Sequence, residues 1–368
     1  MPELETITIK GFKSIAAIEE LKLNAINIVI GANGAGKSNF IEVFSFLHAL
    51  RQGRLQDYVI KANGAERFLH FGSKVTDAIY LQVFFEGKKN GYSIKLIATN
   101  ADELIPKEER GYYWQHPYPE PMNEWMWPIG KEAGISGQEP SRIALHVQKH
   151  FDRWRLYHFH DTSASAPMRR RTNDLHDNRY LREDGSNLAA FLYLLREKHP
   201  TAYSLIRRTV RLVAPFFDDF QLAPQKLNPE AIRLEWKHRN SEAYYDISSL
   251  SDGTLRFMAL ATLFLQPEEY RPSVILVDEP ELGLHPAAIT LLASLVKQAS
   301  VKTQVILSTQ SSLLLDHFQP EDVLVADLVD GATQLTRPDS SRLADWLQDY
   351  SLGQLWEKNE IGGRPGGR

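Results

Sequence analysis

Cysteine is absent from this 368-residue chain, and its absence excludes several chemistries at once. Without thiols the protein has no disulfides, no cysteine-ligated zinc or iron–sulfur cluster, and no thiol nucleophile. No stretch reaches the roughly 18 uninterrupted apolar residues of a membrane span, and the N-terminus lacks the apolar centre of a secretory signal. We therefore expect a cytoplasmic protein without a membrane partner.

The chain also lacks a large excess of either charge: it has 42 Lys and Arg and 46 Asp and Glu, which gives a net charge of −4. The strongly basic surface of an avid nonspecific nucleic-acid binder is thereby excluded, although a local basic patch is not. Hydrophobic residues make up 43% and charged residues 24%, which are values typical of globular proteins. The length allows one large domain or two ordinary ones.

Hydrophobic patterning predicts a mixed α/β fold. Strand patterns occupy residues 4–30, 78–98 (a hairpin), 231–247, 273–280, 303–309 and 323–327. Helical patterns follow a Gly-rich turn after residue 36 and recur at 186–214, 254–265 and 286–299. Residues 100–140 are rich in Pro, Gly and aromatic residues, and we expect irregular structure there.

The strongest motif is the segment from Gly31 to Ser38, which fits the phosphate-binding pattern G-x-x-x-x-G-K-[ST]. Glycines allow backbone N–H groups to surround a phosphate chain, and the N-terminus of the following helix adds a positive dipole. Lys37 is placed to contact the β and γ phosphates and Ser38 to ligate Mg²⁺. The predicted nucleotide-binding residues here are Asn33, Gly34, Ala35, Gly36, Lys37, Ser38 and Asn39.

A second motif is an apolar strand that ends in the carboxylates Asp278 and Glu279, followed by Pro280. This arrangement fits a Walker B element, in which Asp278 supports Mg²⁺ and Glu279 acts as the general base toward water. A strand that simply enters an acidic loop is the alternative. The phosphate loop upstream favours the first interpretation.

A third segment, SLSDGTLRF at residues 249–257, begins an apolar helix. Its local interpretation is a helix cap, made by Ser251 or Asp252. A helix N-terminus that contains Gly253 can also bind an anion.

The order of these motifs, from Gly31–Ser38 through LSDGT and ILVDEPELGLHP to STQSS, resembles that of ABC-type ATPases. The resemblance is strongest to the RecF/SMC-like branch, which includes OLD-type and other phage-defence ATPases. It implies an α/β fold, an ABC-type head of the P-loop NTPase class, with an antiparallel β subdomain and an inserted helical lobe. It also implies ATP and Mg²⁺ as cofactors. The corresponding division is 1–99 and 231–345 for the head, 100–230 for the inserted lobe and 346–368 for a C-terminal tail.

The same resemblance implies that Ser251, Asp252 and Gly253 contact the nucleotide of a second copy, so that a homodimer encloses two ATP. Residues 281–283 match the D-loop that crosses such an interface. Lys13 and Ser14 match a strand turn that approaches the nucleotide.

Gln310 occupies a place where many relatives have a switch histidine. An amide can donate a hydrogen bond to the γ-phosphate or to water, but it carries no proton charge at pH 7. We therefore expect either slow hydrolysis or long-lived ATP-bound dimers. The Q-loop glutamine stays open among Gln52, Gln56 and Gln82.

Two further clusters have a functional and a structural interpretation. His158 and His160 share one face of a strand, where packing or hydrogen bonding is favoured over a metal site. The run at 169–171 is three arginines, either a solvated surface or a contact to nucleic acid.

The leading functional prediction is an ATPase that controls a separately encoded effector, such as a nuclease, in bacterial antiphage defence. The chain shows no second catalytic constellation, so an effector must come from elsewhere. The alternative is a RecF-like repair ATPase that clamps DNA. A transporter subunit is disfavoured, because a full LSGGQ and a clear Q-loop glutamine are both missing.

Overall fold

Two six-stranded sheets, one mainly parallel and one antiparallel, organise the chain. The structure is a computed structural model and describes residues 3–114, 121–163, 165–169 and 172–363. The strands are β1 (Leu4–Phe12), β2 (Ile15–Lys22), β3 (Ile26–Gly31), β4 (Ala78–Phe85), β5 (Asn90–Ala98), β6 (Leu104–Tyr113), β7 (Met122–Trp125), β8 (Trp154–Tyr157), β9 (Asn173–Asp174), β10 (Phe217–Gln221), β11 (Pro224–Gln225), β12 (Asn228–Ile232), β13 (Glu235–His238), β14 (Tyr244–Asp246), β15 (Val274–Asp278), β16 (Gln304–Thr309), β17 (Val323–Val329) and β18 (Ala332–Thr336). The helices are α1 (Lys37–Arg51), α2 (Leu55–Lys61), α3 (Arg142–Phe151), α4 (Leu188–Lys198), α5 (Pro200–Val213), α6 (Asp252–Leu265), α7 (Pro286–Ser300), α8 (Ser312–Leu315), α9 (Ser340–Leu343), α10 (Trp346–Asp349) and α11 (Leu352–Glu357).

The mainly parallel sheet has the strand order β18-β17-β3-β16-β15-β8, and only the edge pair β17–β18 is antiparallel. Every residue of β3 and β16 is buried, as expected of parallel strands covered on both faces. This burial explains the continuous apolar runs in the sequence and confirms those strand predictions. The carboxyl ends of the parallel strands meet at one edge, where Gly31, Asp278 and Thr309 lie.

Alternating side chains of β3 separate two hydrophobic cores. Ile28 and Ile30 pack with the layer formed by α4, α5, α6 and α7. Val29 faces the opposite way, into the core shared by α1 and the antiparallel sheet. The helix predicted after residue 36 is α1, and four of its apolar residues at helical spacing are buried in that second core: Phe40, Val43, Phe44 and Leu47.

The antiparallel sheet has the order β2-β1-β4-β5-β6-β7, and its β4–β5 pair confirms the predicted hairpin. Residues 100–140 differ from the prediction, because β6 and β7 extend this sheet instead of forming an irregular segment. A register shift at Lys95/Leu96 accommodates Pro106 within β6. The buried carboxylate of Glu109 is satisfied by the Tyr92 hydroxyl at 2.9 Å and by two backbone N–H groups.

The segment 186–214 is helical as predicted, in α4 and α5. However, β6, β7 and β8 lie within the range 100–230 and belong to the two large sheets, so residue 100 does not mark the edge of a sheet. The four-part division of the chain stays a prediction. In the tail, Leu352 and Leu355 are buried, while residues 364–368 lie outside the described residues. Among the helices described, none has the length and apolar character needed to cross a bilayer.

Candidate functional site

The loop between β3 and α1 curls around the ammonium group of Lys37. The Nζ atom donates hydrogen bonds to the carbonyl oxygens of Gly31 at 2.7 Å and Ala32 at 2.9 Å. Gly34 and Gly36 have φ values of 81° and 95°, in the left-handed region that favours glycine. The sequence pattern therefore corresponds to a real backbone requirement at this loop.

Three carboxylates at and after the end of β15 influence the pKa of Lys37. Burial lowers the pKa of Lys37, and the negative charges of Glu279, Asp278 and Glu281 oppose this decrease. The ammonium group is thus held between loop carbonyls and carboxylates, in the position where a phosphate chain would replace the carbonyls as its partner.

Asp278 ends β15, and two side chains approach its carboxylate from different sides. Ser308 Oγ donates to Asp278 Oδ1, and His160 Nε2 lies 3.7 Å from Asp278 Oδ2. Burial alone would raise the pKa of Asp278, but His160 and Ser308 together hold it below its usual range. The carboxylate is therefore kept ionised, as a magnesium-supporting group must be.

Glu279 adopts a left-handed backbone conformation with a φ of 42°. Its N–H donates to the carbonyl of Ser308 at 2.9 Å, and its side chain accepts a hydrogen bond from Gln310 Nε2. A non-glycine residue in this conformation is strained, and such strain is found where side-chain direction matters. The bend directs the Glu279 carboxylate toward the end of β16.

Glu281, two residues after Glu279, is buried. Its Oε1 accepts hydrogen bonds from Thr309 Oγ1 at 2.5 Å and from the N–H of Gln310 at 3.1 Å. Burial raises the pKa of Glu281. Within the D-loop stretch, the side chain of Glu281 therefore fixes the loop to the end of β16, whereas Leu282 is 42% exposed.

A cavity of about 180 Å³, which we call the nucleotide cavity, lies at the carboxyl edge of the sheet, and neither Asp278 nor Glu281 is among its lining residues. The structure brings together eight of the predicted residues around it: Asn33, Gly34, Gly36, Lys37, Ser38, Asn39, Glu279 and Gln310. Ala35 is buried behind the loop.

Lys13 and Ser14 do not line this cavity. Lys13 forms an ion pair with Glu42. Ser14 Oγ lies 2.7 Å from Thr333 Oγ1 and accepts from Asn39 Nδ2 at 2.6 Å. A Cβ on Gly36 would meet the Thr333 hydroxyl at 1.9 Å. Ser14 and Thr333 thus support the phosphate loop from behind, a contact that links residues 319 positions apart.

The signature segment is ordered by contacts within its own chain. Ser251 Oγ accepts from the N–H of Thr254 at 3.2 Å and caps α6, as predicted. Asp252 forms an ion pair with Arg169 at 2.7 Å. A Cβ on Gly253 would lie 2.2 Å from the carbonyl oxygen of Gly283, so the signature glycine packs directly on the D-loop.

Arg169 explains part of the basic run noted in the sequence. Besides Asp252, its guanidinium donates to the carbonyls of Thr162, Ile247 and Leu250. The side chain is therefore committed to holding the signature segment and is not a free phosphate contact. The other two arginines of the run, at 170 and 171, lie outside the described residues.

Arg256, on α6, is a site residue that sequence reasoning missed. Its guanidinium is buried and donates to the carbonyls of Phe159 at 2.8 Å and His160 at 3.0 Å. The signature helix is thereby joined to the segment that presents His160 to Asp278. An arginine four residues after the LSD segment gives no local signal of this contact, which spans about a hundred residues of sequence.

None of the three candidate Q-loop glutamines lines the nucleotide cavity. Gln56 donates to the carbonyl of Leu104, Gln52 is exposed beside His48, and Gln82 lies within β4. The segment after β8 reaches the Walker B carboxylate instead, through His160. His158 and His160 have ring centroids 6.3 Å apart, and the part of the chain that the structure describes holds no group of three or more metal-ligating side chains.

The donor set fits ATP and Mg²⁺. A lysine ammonium at the centre of a glycine loop and the N-terminus of α1 suit phosphate oxygens. The Ser38 hydroxyl and the ionised Asp278 carboxylate supply the oxygen ligands that Mg²⁺ prefers.

The fold is that of SMC ATPase heads, a class of P-loop NTPases. An Smc head bound to the C-terminal winged-helix domain of ScpA is 15% identical, with a TM-score of 0.61, over 93% of this chain and 99% of that one. An Smc head from Pyrococcus furiosus with an extended coiled coil, bound to the C-terminal domain of ScpA, is 15% identical with a TM-score of 0.60, over 95% and 99% of the two chains.

Residues 26–316 match the family described as "AAA domain, putative AbiEii toxin, Type IV TA system". Because the match covers more than half of the sequence, the chain belongs to this family. It contains an AAA domain, and its fold is that of the SMC heads. No curated protein is significantly similar in sequence.

Proposed function

We propose that two copies of this chain form a head-to-head dimer around two ATP and hydrolyse them. The observation that carries this proposal is that the signature residues lie apart from the cavity that the other nucleotide motifs line. The cavity of one chain is lined by the phosphate loop, Glu279 and Gln310, whereas Ser251 and Asp252 are exposed on a separate surface. The N-terminus of a helix is suited to an anion, and a second copy is the partner that would bring one to it.

Within the dimer each group has one role. Lys37 and the loop N–H groups hold the phosphates, while Ser38 and Asp278 hold Mg²⁺. Glu279 accepts a proton from the attacking water, and the Gln310 amide fixes the direction of that carboxylate. ATP supplies the phosphoanhydride bond, and Mg²⁺ neutralises charge on its phosphate oxygens.

The dimer cycle, as we propose it, controls a separately encoded effector such as a nuclease in antiphage defence. Support comes from the family description, which refers to a putative toxin and a type IV TA system. The role of Arg169 as an internal anchor of the signature removes one cation that a DNA clamp would use. For this reason we place effector control ahead of the RecF-like alternative.

Mixing two inactive variants tests the dimer. Lys37→Ala removes the phosphate contact, and Ser251→Arg blocks the signature. Each is expected to be inactive alone, because each dimer then has two defective sites. Mixed dimers regain one intact site, so hydrolysis should return to about a quarter of the wild-type rate. The matched control is Ser294→Arg, an exposed serine on α7, which should leave the rate unchanged.

If the wild type hydrolyses ATP but the mixture is as inactive as each variant alone, the signature does not act in trans. Effector control is tested separately in cells that carry the chain with its neighbouring genes. Lys37→Ala should abolish protection against phage. Protection retained by that variant, or increased sensitivity to DNA damage instead, would favour a different role.

A further inference from the structure

A second cavity, of about 360 Å³, lies beside α1 and α2 at the β8 edge of the parallel sheet. It shares no lining residue with the nucleotide cavity. Its volume falls in the range of small-molecule sites, about 300–1,000 Å³. We call it the β8 cavity.

Three cationic side chains line the β8 cavity: Arg54, Lys61 and Arg155. None of them forms an ion pair with a carboxylate in the described part of the chain. Arg155 uses Nη1 for the carbonyls of residues 152 and 154, which leaves the rest of its guanidinium free to donate. Such forked donors match phosphate oxygens.

Two carboxylates also line the cavity, Asp57 and Glu183. Burial raises the pKa of Glu183, and the nearby Arg155 and Arg54 only partly oppose this increase. The cations therefore outnumber the carboxylates.

Aromatic side chains also line the β8 cavity. Trp154 lines the cavity and is 2% exposed, and its indole Nε1 has no hydrogen-bond partner among the described residues. Phe44 is buried as well, whereas Tyr58 is half-buried and is therefore the aromatic side chain that a ligand can reach.

We infer that the β8 cavity binds a phosphorylated ring compound of about mononucleotide size. The phosphate lies against Arg54, Lys61 and Arg155, and the ring packs on Tyr58. Binding also alters ATP hydrolysis, because His158 lines this cavity and His160, two residues further, contacts Asp278. This second statement rests on the proposed ATPase function, whereas the binding itself does not.

Calorimetric titration of the full chain tests the inference, with AMP, GMP, glucose 6-phosphate and inorganic phosphate as probes. Titrations repeated with Lys37→Ala exclude binding at the phosphate loop. We expect at least one ring phosphate to bind more tightly than inorganic phosphate. Lys61→Gln and Arg155→Gln should each weaken that binding by about tenfold or more, since each removes a charged donor. Arg233→Gln, at an exposed arginine without an ion pair, is the control and should stay within about twofold.

Absence of binding by every probe at millimolar concentration would overturn the inference, as would an equal loss in the Arg233→Gln control. Lys61 is exposed and its side chain has no hydrogen bond in the described structure, so Lys61→Gln remains folded if Arg155→Gln does not. The bound probe should change the wild-type ATPase rate but not that of Lys61→Gln. If ATP is not hydrolysed at all, the proposed function fails while the binding result stands.

Discussion

The side-chain amide of Gln310 donates a hydrogen bond to Oε1 of Glu279. The two residues directly follow the neighbouring strands β16 and β15, and both line the nucleotide cavity. Gln310 thus holds the proposed general base in one direction without supplying a titratable group of its own. Gln310, which stands where many relatives have a switch histidine, therefore has an orienting role that can be tested.

Gln310→Ala should lower kcat by about 10- to 100-fold, because the Glu279 carboxylate loses its fixed orientation. The KM for ATP should change little, since the phosphate loop is untouched. Steady-state kinetics measure both quantities. An unchanged kcat would show that Gln310 has no part in hydrolysis.

Gly253→Ala should destabilise the protein, although alanine normally stabilises a helix by about 0.5–1 kcal/mol relative to glycine. The new Cβ would lie 2.2 Å from the carbonyl oxygen of Gly283 and would separate the signature from the D-loop. Denaturant unfolding measures the effect. A variant as stable as the wild type would show that this packing is not required.

Arg256→Gln should lower the free energy of unfolding by about 2–4 kcal/mol, because it leaves the carbonyls of Phe159 and His160 without a charged donor. Arg342→Gln is the matched control, as that side chain is 86% exposed, and should change stability by less than about 0.5 kcal/mol. Equal effects of the two substitutions would contradict the assigned role of Arg256.

Glu109→Gln tests the buried carboxyl in the antiparallel sheet. Burial raises the pKa of Glu109 in the folded state, so between the ordinary and the raised pKa the folded state binds more protons than the unfolded one. Stability contributed by this group is therefore greatest below the ordinary pKa and decreases as pH rises through the window. The stability advantage of wild type over Glu109→Gln should decrease with pH from about 4.5 upward and then become constant. A stability advantage of wild type that increases with pH would contradict a raised pKa of Glu109 in the folded state.

The sequence was sufficient where short segments determine their own structure. The loop from Gly31 to Ser38, the apolar run before Asp278 and the Ser251 cap are local patterns, and the structure confirms their strand, loop and helix placement. The 78–98 hairpin follows from local alternation in the same way.

Contacts between distant segments were not predictable. His160 meets Asp278 only because β8 pairs with β15, and Thr333 meets Ser14 only because β18 lies at the far edge of the sheet. The strand β6 was missed because its pattern carries Pro106 and a buried Glu109, whose partners come from other parts of the chain. Side chains satisfied over long sequence separations leave no periodicity to detect.

The most direct test of the account is the molar mass of the purified protein in solution, measured by light scattering with and without ATP and Mg²⁺. Glu279→Gln should form a dimer only when ATP is present, because it binds but does not hydrolyse the nucleotide, and Lys37→Ala should remain at the mass of its ATP-free state. A mass of Glu279→Gln that does not respond to ATP would contradict the ATP-dependent head-to-head dimer.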